Sequence, residues 1–130
     1  MAVADVLPFT PRPGQYLPRI GGRHAGVLGD YSLVMGQFAP TELNWSDAAA
    51  WVHSLRVGPH DDFQLPSIIE LELMIRVLPT LFAVPRLWSC DQVAEVPADA
   101  WAFDFATDSA TGWGKHFGNY AIAVRREVRT

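Results

Sequence analysis

The sequence is poor in three features that mark particular classes of protein. Its single cysteine, Cys90, excludes an internal disulfide and a four-thiolate zinc site. Lys115 is the only lysine and the formal net charge is -4, whereas phosphate binding needs clustered Lys and Arg. No apolar run approaches the roughly 20 residues that span a bilayer, because charged residues and Pro79 interrupt the longest one, at residues 68–84. The sequence therefore predicts neither a nucleic-acid partner nor a membrane partner.

What the sequence does contain is typical of one folded domain. Its 130 residues are 49% apolar and 18% charged, which is enough to build a buried core without disulfides. The first residues lack the basic segment and the apolar run of a secretory signal. We therefore expect synthesis in a reducing cytoplasm.

Residues 1–24 differ in composition from the rest of the chain. They contain four prolines and three glycines, so neither an independent helix nor a central strand is expected there. Apolar residues are nevertheless frequent in this segment. We interpret residues 1–24 as an extended arm that packs on its own domain or on a neighbouring subunit, and a partly ordered terminus is the alternative.

Residues 25–130 carry the pattern of a folded domain with two helices. The helices are predicted to begin at Asn44, as an N-cap, and at Ser67, as a capping box with Glu70. We expect them to end at Gly58 and Pro79.

Strands are predicted on both sides of these helices. Gly29-Asp30 is a two-residue turn signal between two apolar segments, and further strands follow at residues 87–90, 100–106 and 120–125. The order favours an α+β fold, with two helices packed on a mostly antiparallel, twisted sheet. Trp88 and Trp101 are expected in its core.

Five segments occur in an order that is also familiar as a set. They read Leu-Asn-Trp-Ser-Asp-Ala-Ala (43–49), Asp-Phe-Gln-Leu-Pro-Ser-Ile-Ile-Glu-Leu (62–71), Leu-Trp-Ser-Cys (87–90), Ala-Trp-Ala-Phe-Asp-Phe (100–105) and Ala-Ile-Ala-Val-Arg-Arg (121–126). Over about residues 28–126 the chain resembles the Lcl-type carboxy-terminal domain family, and residues 13–26 resemble short members encoded by tailed phages and prophages. The resemblance implies a C-type-lectin-like fold. The calcium signatures of true C-type lectins are absent from the sequence, so the resemblance does not extend to calcium-dependent sugar binding.

Residues 107–119 are the stretch whose composition is most typical of a binding surface. They are predicted to form a polar, glycine-rich loop, in which rigid aromatic rings lie among small polar residues. In the family that the chain resembles, ligand or receptor contacts generally lie in the corresponding region. A compact loop whose rings fold back onto the core is the alternative. The candidate contact residues are Asp108, Trp113, Lys115, His116 and Asn119.

No catalytic arrangement stands out in the sequence. Cys90 follows two residues of a predicted buried strand and is interpreted as a small apolar filler rather than a nucleophile. The cluster at residues 60–62, His-Asp-Asp, is read as a solvated turn, with a cation site as the alternative. Asp104 is assigned to the polar face of a strand, and residues 125–129 to a solvated strand end. We predict no catalytic residue, no metal ligand and no cofactor.

Together these observations predict a non-catalytic binding module. The resemblance places it in a phage or prophage, as a virion component or an accessory protein that contacts another phage or host protein. It would be made in the host cytoplasm, with the virion as an alternative final location, and its apolar arm predicts a homo-oligomer. Two alternatives remain open: a glycan-binding module for host-surface sugars, and an enzyme related to those that generate formylglycine, acting through Cys90.

Overall fold

Residues 14–128 are the part of the chain that the structure, a computed structural model, describes, and they contain seven strands and two α-helices. The strands are β1 (Tyr16–Leu17), β2 (Gly22–Leu28), β3 (Tyr31–Phe38), β4 (Arg86–Gln92), β5 (Asp99–Asp104), β6 (Ser109–Gly114) and β7 (Ile122–Val128). The helices are α1 (Trp45–Ser54) and α2 (Ile68–Val77), and 3-10 turns cover Pro18–Ile20 and Pro79–Leu81. The predicted α+β class is confirmed.

The strands form two antiparallel sheets rather than the one that the sequence predicts. The first sheet has the order β1-β2-β3-β7 and the second the order β4-β5-β6. The predicted turn at Gly29-Asp30 joins β2 to β3, and Gly29 supplies a φ of 57° that favours glycine. The sheets are connected where the Trp88 amide donates to the Tyr120 carbonyl at 2.9 Å.

Both helices begin at the predicted residues. The Asn44 side chain accepts from the Asp47 amide at 2.8 Å, and Ser67 and Glu70 complete both bonds of a capping box. The predicted end of the first helix at Gly58 was wrong, because Leu55 already takes extended backbone angles. Within residues 14–128, neither helix has the length and apolar character needed to cross a membrane.

The core consists of two clusters of buried residues. The first lies between α2 and both sheets, and the second lies beneath α1. Trp88 is fully buried in the second cluster, as predicted, whereas Trp101 is only half-buried. The second cluster takes Ala100 and Ala102 from β5 instead, so Trp101 lies on the other face of that strand.

Cys90 is exposed, so the prediction that it fills the core was wrong. Strand β4 is buried only from Leu87 to Ser89, and it leaves the interior at the next residue.

The predicted boundary at residue 24 lies inside β2. Residues 14–24 form β1, a 3-10 turn and the start of β2, and the Gly14 amide donates to the His24 carbonyl at 2.7 Å. The rest of the predicted arm, residues 1–13, lies outside the described residues.

A buried carboxylate connects α2 to the first sheet. Glu70 is 1% exposed, and it accepts from the Arg126 guanidinium at 2.6 and 2.7 Å and from the Tyr31 hydroxyl at 2.6 Å. Burial alone would raise the pKa of Glu70, but the hydrogen bonds from Arg126 and Tyr31 outweigh it and lower the pKa. The carboxylate is therefore ionised in the folded protein.

The neighbouring arginine is also internal, so the prediction of a solvated strand end was wrong. Arg125 is 6% exposed and donates to Asp62 at 2.5 Å and to the Ile20 carbonyl at 2.5 Å. This contact connects β7 to the loop between the helices and to the segment before β2.

We expect Glu70→Ala to lower the free energy of unfolding by about 3 kcal/mol, because it leaves the partly buried Arg126 cation without its counter-ion. Glu95→Ala, which removes an exposed glutamate, should change it by less than about 0.5 kcal/mol. Urea denaturation near pH 7 measures both values. Equal effects of the two substitutions would contradict a central role for the buried pair.

Tyr31 predicts a loss of stability at alkaline pH. Burial and the hydrogen bond to Glu70 raise the pKa of Tyr31 from 10.0 to about 12. Because the folded state holds this proton more tightly than the unfolded state, the stabilisation is complete below pH 10.0 and is lost as the pH rises towards about 12. The difference in unfolding free energy between the wild type and Tyr31→Phe should shrink over that interval. Parallel pH profiles would show that the hydroxyl makes no such contribution.

Candidate functional site

The segment predicted as a loop contains a strand. Strand β6 (Ser109–Gly114) pairs with β5 along its whole length, from Asp99 opposite Gly114 to Asp104 opposite Ser109. The prediction of a continuous loop at residues 107–119 was therefore wrong. Glycines and small residues gave β6 little intrinsic strand preference, but pairing with β5 overrides that preference.

This strand contains Trp113 and separates the other four predicted contact residues into two groups. Asp108 lies in the turn before β6, whereas Lys115, His116 and Asn119 follow it. The 6 residues of β6, at about 3.3 Å each, place the two groups about 20 Å apart. They therefore do not form one surface.

Asp108 is exposed and belongs to a cleft beside α2. It takes a φ of 53°, which aspartate tolerates better than most residues, and so closes the turn between β5 and β6. The cleft has a volume of about 520 Å³ and is also lined by Phe103 and by three residues of α2: Glu72, Ile75 and Arg76.

Trp113 is half-buried and lies against the second core cluster. The guanidinium carbon of Arg86 lies 4.2 Å from the centre of the indole, and the Phe117 ring meets the indole edge-on at 5.8 Å. A cation on a tryptophan face and an edge-to-face ring pair both fix ring orientation. Trp113 is therefore a support for Phe117 as well as a residue of the site.

Asn119 is part of the framework, because it is only 2% exposed. Its side-chain oxygen accepts from Arg86 Nε at 2.8 Å, and its backbone exchanges two hydrogen bonds with Leu43 at 3.0 Å. It holds the base of the turn after β6 and does not contact solvent.

His116 and Phe117 form the exposed part of that turn, and Lys115 beside them is half-buried. Lys115 Nζ donates to Gln92 at 2.6 Å and lies 4.7 Å from the centre of the Trp45 ring. His116 is exposed and lies 4.4 Å from the Phe117 ring, which is itself 50% exposed. We call Trp113, Lys115, His116 and Phe117 the aromatic surface.

The sequence did not single out Phe117 or Arg86. Phe117 is a large apolar side chain between polar neighbours and Gly118, which is a signal of exposure on a turn. Arg86 is remote in sequence, so no local signal shows that it stacks on Trp113.

Cys90 does not have the environment of a nucleophile. Desolvation of the thiol raises the pKa of Cys90, and the negative charge of the Asp91 carboxylate raises it further. The raised pKa favours the unreactive protonated form. It lines a cleft of about 210 Å³ together with His53 and Trp45.

Asp62, His60 and Asp104 make contacts within the fold. Asp62 pairs with Arg125, and the hydrogen bond between them lowers the pKa of Asp62. His60 Nε2 lies 2.6 Å from the Arg19 carbonyl oxygen, and Asp104 accepts from the Ala106 amide. In the part of the chain that the structure describes, no three His, Cys, Asp or Glu side chains are grouped so as to hold a metal ion.

No protein-family model matches the chain, and no curated protein is significantly similar to it. The resemblance to the Lcl-type family therefore stays a prediction.

We expect Asn119→Ala to destabilise the protein by about 2 kcal/mol, because it empties a buried position and leaves the half-buried Arg86 donor without its acceptor. His116→Ala, three residues away on the exposed side of the same turn, should change stability by less than about 0.5 kcal/mol. Thermal or urea unfolding compares the two. Equal costs would show that Asn119 is not part of the framework.

Proposed function

We propose that the protein is a non-catalytic binding module that recognises another protein through the aromatic surface. The observation that carries this proposal is that the Phe117 ring is half exposed yet fixed by its neighbours Trp113 and His116. A rigid, exposed aromatic ring is the usual anchor of a protein–protein interface, because little conformational entropy is lost when it is buried.

Three contacts attach this surface to two elements of the fold, β4 and α1. Arg86 on β4 stacks on Trp113, and Lys115 is held by Gln92 at the other end of β4. The Lys115 carbonyl accepts from the Trp45 amide at the start of α1. The exposed ring is thus attached to a framework of a strand and a helix, which favours preorganised recognition.

Charge favours a partner with an acidic group beside an apolar pocket. Arg86 stacks on Trp113 and Lys115 lies two residues before Phe117, although the chain as a whole carries a net charge of -4. Glu42, near Gly118, is an acidic residue at the rim. Complementary charge around an apolar anchor contributes to specificity and to the association rate.

The wider setting rests on the resemblance described above. We propose a C-type-lectin-like fold and a role in a phage or prophage, as a virion component or an accessory protein that works as a homo-oligomer. The support is the order of the five motifs, together with two helices and antiparallel sheets.

We expect Phe117→Ala to weaken binding to the partner by about 30-fold, the usual loss at a central anchor. Val96→Ala is the matched control, since Val96 is 43% exposed on another turn. The partner is first captured from lysate of the producing cells, identified and purified, and its affinity for each variant is then measured by calorimetry. Unchanged affinity in Phe117→Ala would refute this binding surface.

A glycan array, probed with the wild type and with Phe117→Ala, tests the alternative that the protein binds sugars. Sugar binding by the wild type that Phe117→Ala abolishes would favour the glycan module instead, because an exposed ring also stacks on the apolar face of a sugar. Binding of neither proteins nor sugars would contradict a recognition function at this surface.

A further inference from the structure

A groove lies on the opposite face of the second sheet, and its lining residue Gln92 also accepts from Lys115 of the aromatic surface. Helix α2 packs on β4 and β5, and two clefts, of about 520 and 380 Å³, lie beside it over the sheet. Ile68, Glu72, Ile75 and Arg76 line them from α2 at helical spacing, so the clefts follow one stripe of the helix. The 10 residues of α2 make this α2–β6 groove about 15 Å long.

The floor of the groove is aromatic, and small residues of β6 border its outer side. Trp101 and Phe103 on β5 face into it, and their partners across the ladder are Gly112 and Ala110. Such small residues on β6 leave the floor open to a chain that lies along the outer edge of that strand.

The outer edge of β6 is available for pairing. It is the last strand of its sheet, and no described residue forms a ladder with its far side. Because Lys115 bonds to Ala98, the alternation of an antiparallel ladder directs the main-chain groups of Ala110 and Gly112 away from β5. An added strand would bond to these groups and place every second side chain over the groove.

The charges of the groove favour a basic occupant. Glu72 and Asp108 line one cleft, and Asp91, which accepts from the Ile68 amide at 2.9 Å, lines the other. Among the described residues that line the two clefts, Arg76 is the one cation. Glu72 and Arg76 lie four residues apart on α2, yet no ion pair joins them within the described residues. The groove is thus negatively charged over an apolar floor.

We propose that the α2–β6 groove binds an extended, basic peptide segment of a partner protein by strand addition to β6. Its groove-facing side chains alternate between an apolar residue, which packs on Trp101, and a lysine or arginine, which lies between Glu72 and Asp108. About four or five residues span the groove at 3.3 Å each. The proposed peptide site and the aromatic surface are different sites, so this proposal does not depend on the function proposed for the aromatic surface.

The test uses the full chain, labelled with ¹⁵N, and the capped peptide acetyl-Thr-Leu-Thr-Lys-Thr-amide. We expect amide shifts concentrated at residues 108–112 and along α2, and slower exchange of the Ala110 and Gly112 amides. The peptide with Glu in place of Lys, and the same peptide with N-methylated backbone amides, should each bind at least about fivefold more weakly. No shifts with any peptide at millimolar concentration would overturn the proposal.

Variants of the protein separate charge from shape. Asp108→Asn keeps a residue that tolerates the turn, and Glu72→Gln keeps the helix, so each should weaken binding of the lysine peptide without unfolding the chain. Glu95→Gln, which removes an exposed charge elsewhere, and Phe117→Ala, on the aromatic surface, should leave it unchanged. Shifts confined to residues 115–118 would overturn the proposal and assign the peptide to the other surface.

Two other occupants of the groove are also outcomes of the measurement. A doubled mass by light scattering, with groove resonances that change on dilution, would show a second copy of the chain. Nuclear Overhauser contacts from the groove to residues 1–13 in the free protein would show occupation by the chain itself. Either result would overturn the proposal of a partner peptide.

Discussion

A carboxylate almost completely removed from water connects helix α2 to the first sheet. An unpaired Glu70 would cost several kcal/mol at this depth, so the helix is stable only where Arg126 and Tyr31 reach the carboxylate. That requirement fixes the rotation of α2 about its own axis. With Glu70 directed to the first sheet, the stripe that begins at Ile68 necessarily faces the second sheet, so the walls of the groove depend on this buried pair.

The side chains of the two adjacent arginines of β7 contact different parts of the structure. Successive side chains of a strand point to opposite faces, so Arg125 and Arg126 leave the same segment on different sides. Arg125 bonds to Asp62 and to the Ile20 carbonyl, whereas Arg126 bonds to the start of α2. One dipeptide thereby positions the loop between the helices, the segment before β2 and the second helix. This explains how a chain without disulfides fixes several irregular segments.

The features predicted correctly from sequence are local. The caps at Asn44 and Ser67 and the turn at Gly29 depend on residues within three or four positions, and the structure has all of them. The features missed depend on distant partners. Strand β6 exists because β5 pairs with it, Arg125 is held inside by its ion pair with Asp62, and Trp101 is half-buried because it lines an open cleft beside α2. The candidate site was mispredicted for the same reason. Its composition indicated that residues 107–119 could bind a partner, but the pairing of β6 with β5 determines which of these residues lie close together.

The pairing of β3 with β7 determines when this protein can fold. Residues 31–38 pair with β2 on one side and with residues 122–128 on the other, so the β2–β3 hairpin cannot complete its sheet until β7 has left the ribosome. Until then Leu33, Val34 and Met35, all buried in the finished structure, face solvent or a chaperone. Such a long-range closure makes folding slow for a chain of this size and makes it sensitive to premature truncation. Translation that stops before β7 would leave an exposed apolar strand edge, so truncated products of this protein are expected to aggregate rather than to retain partial activity.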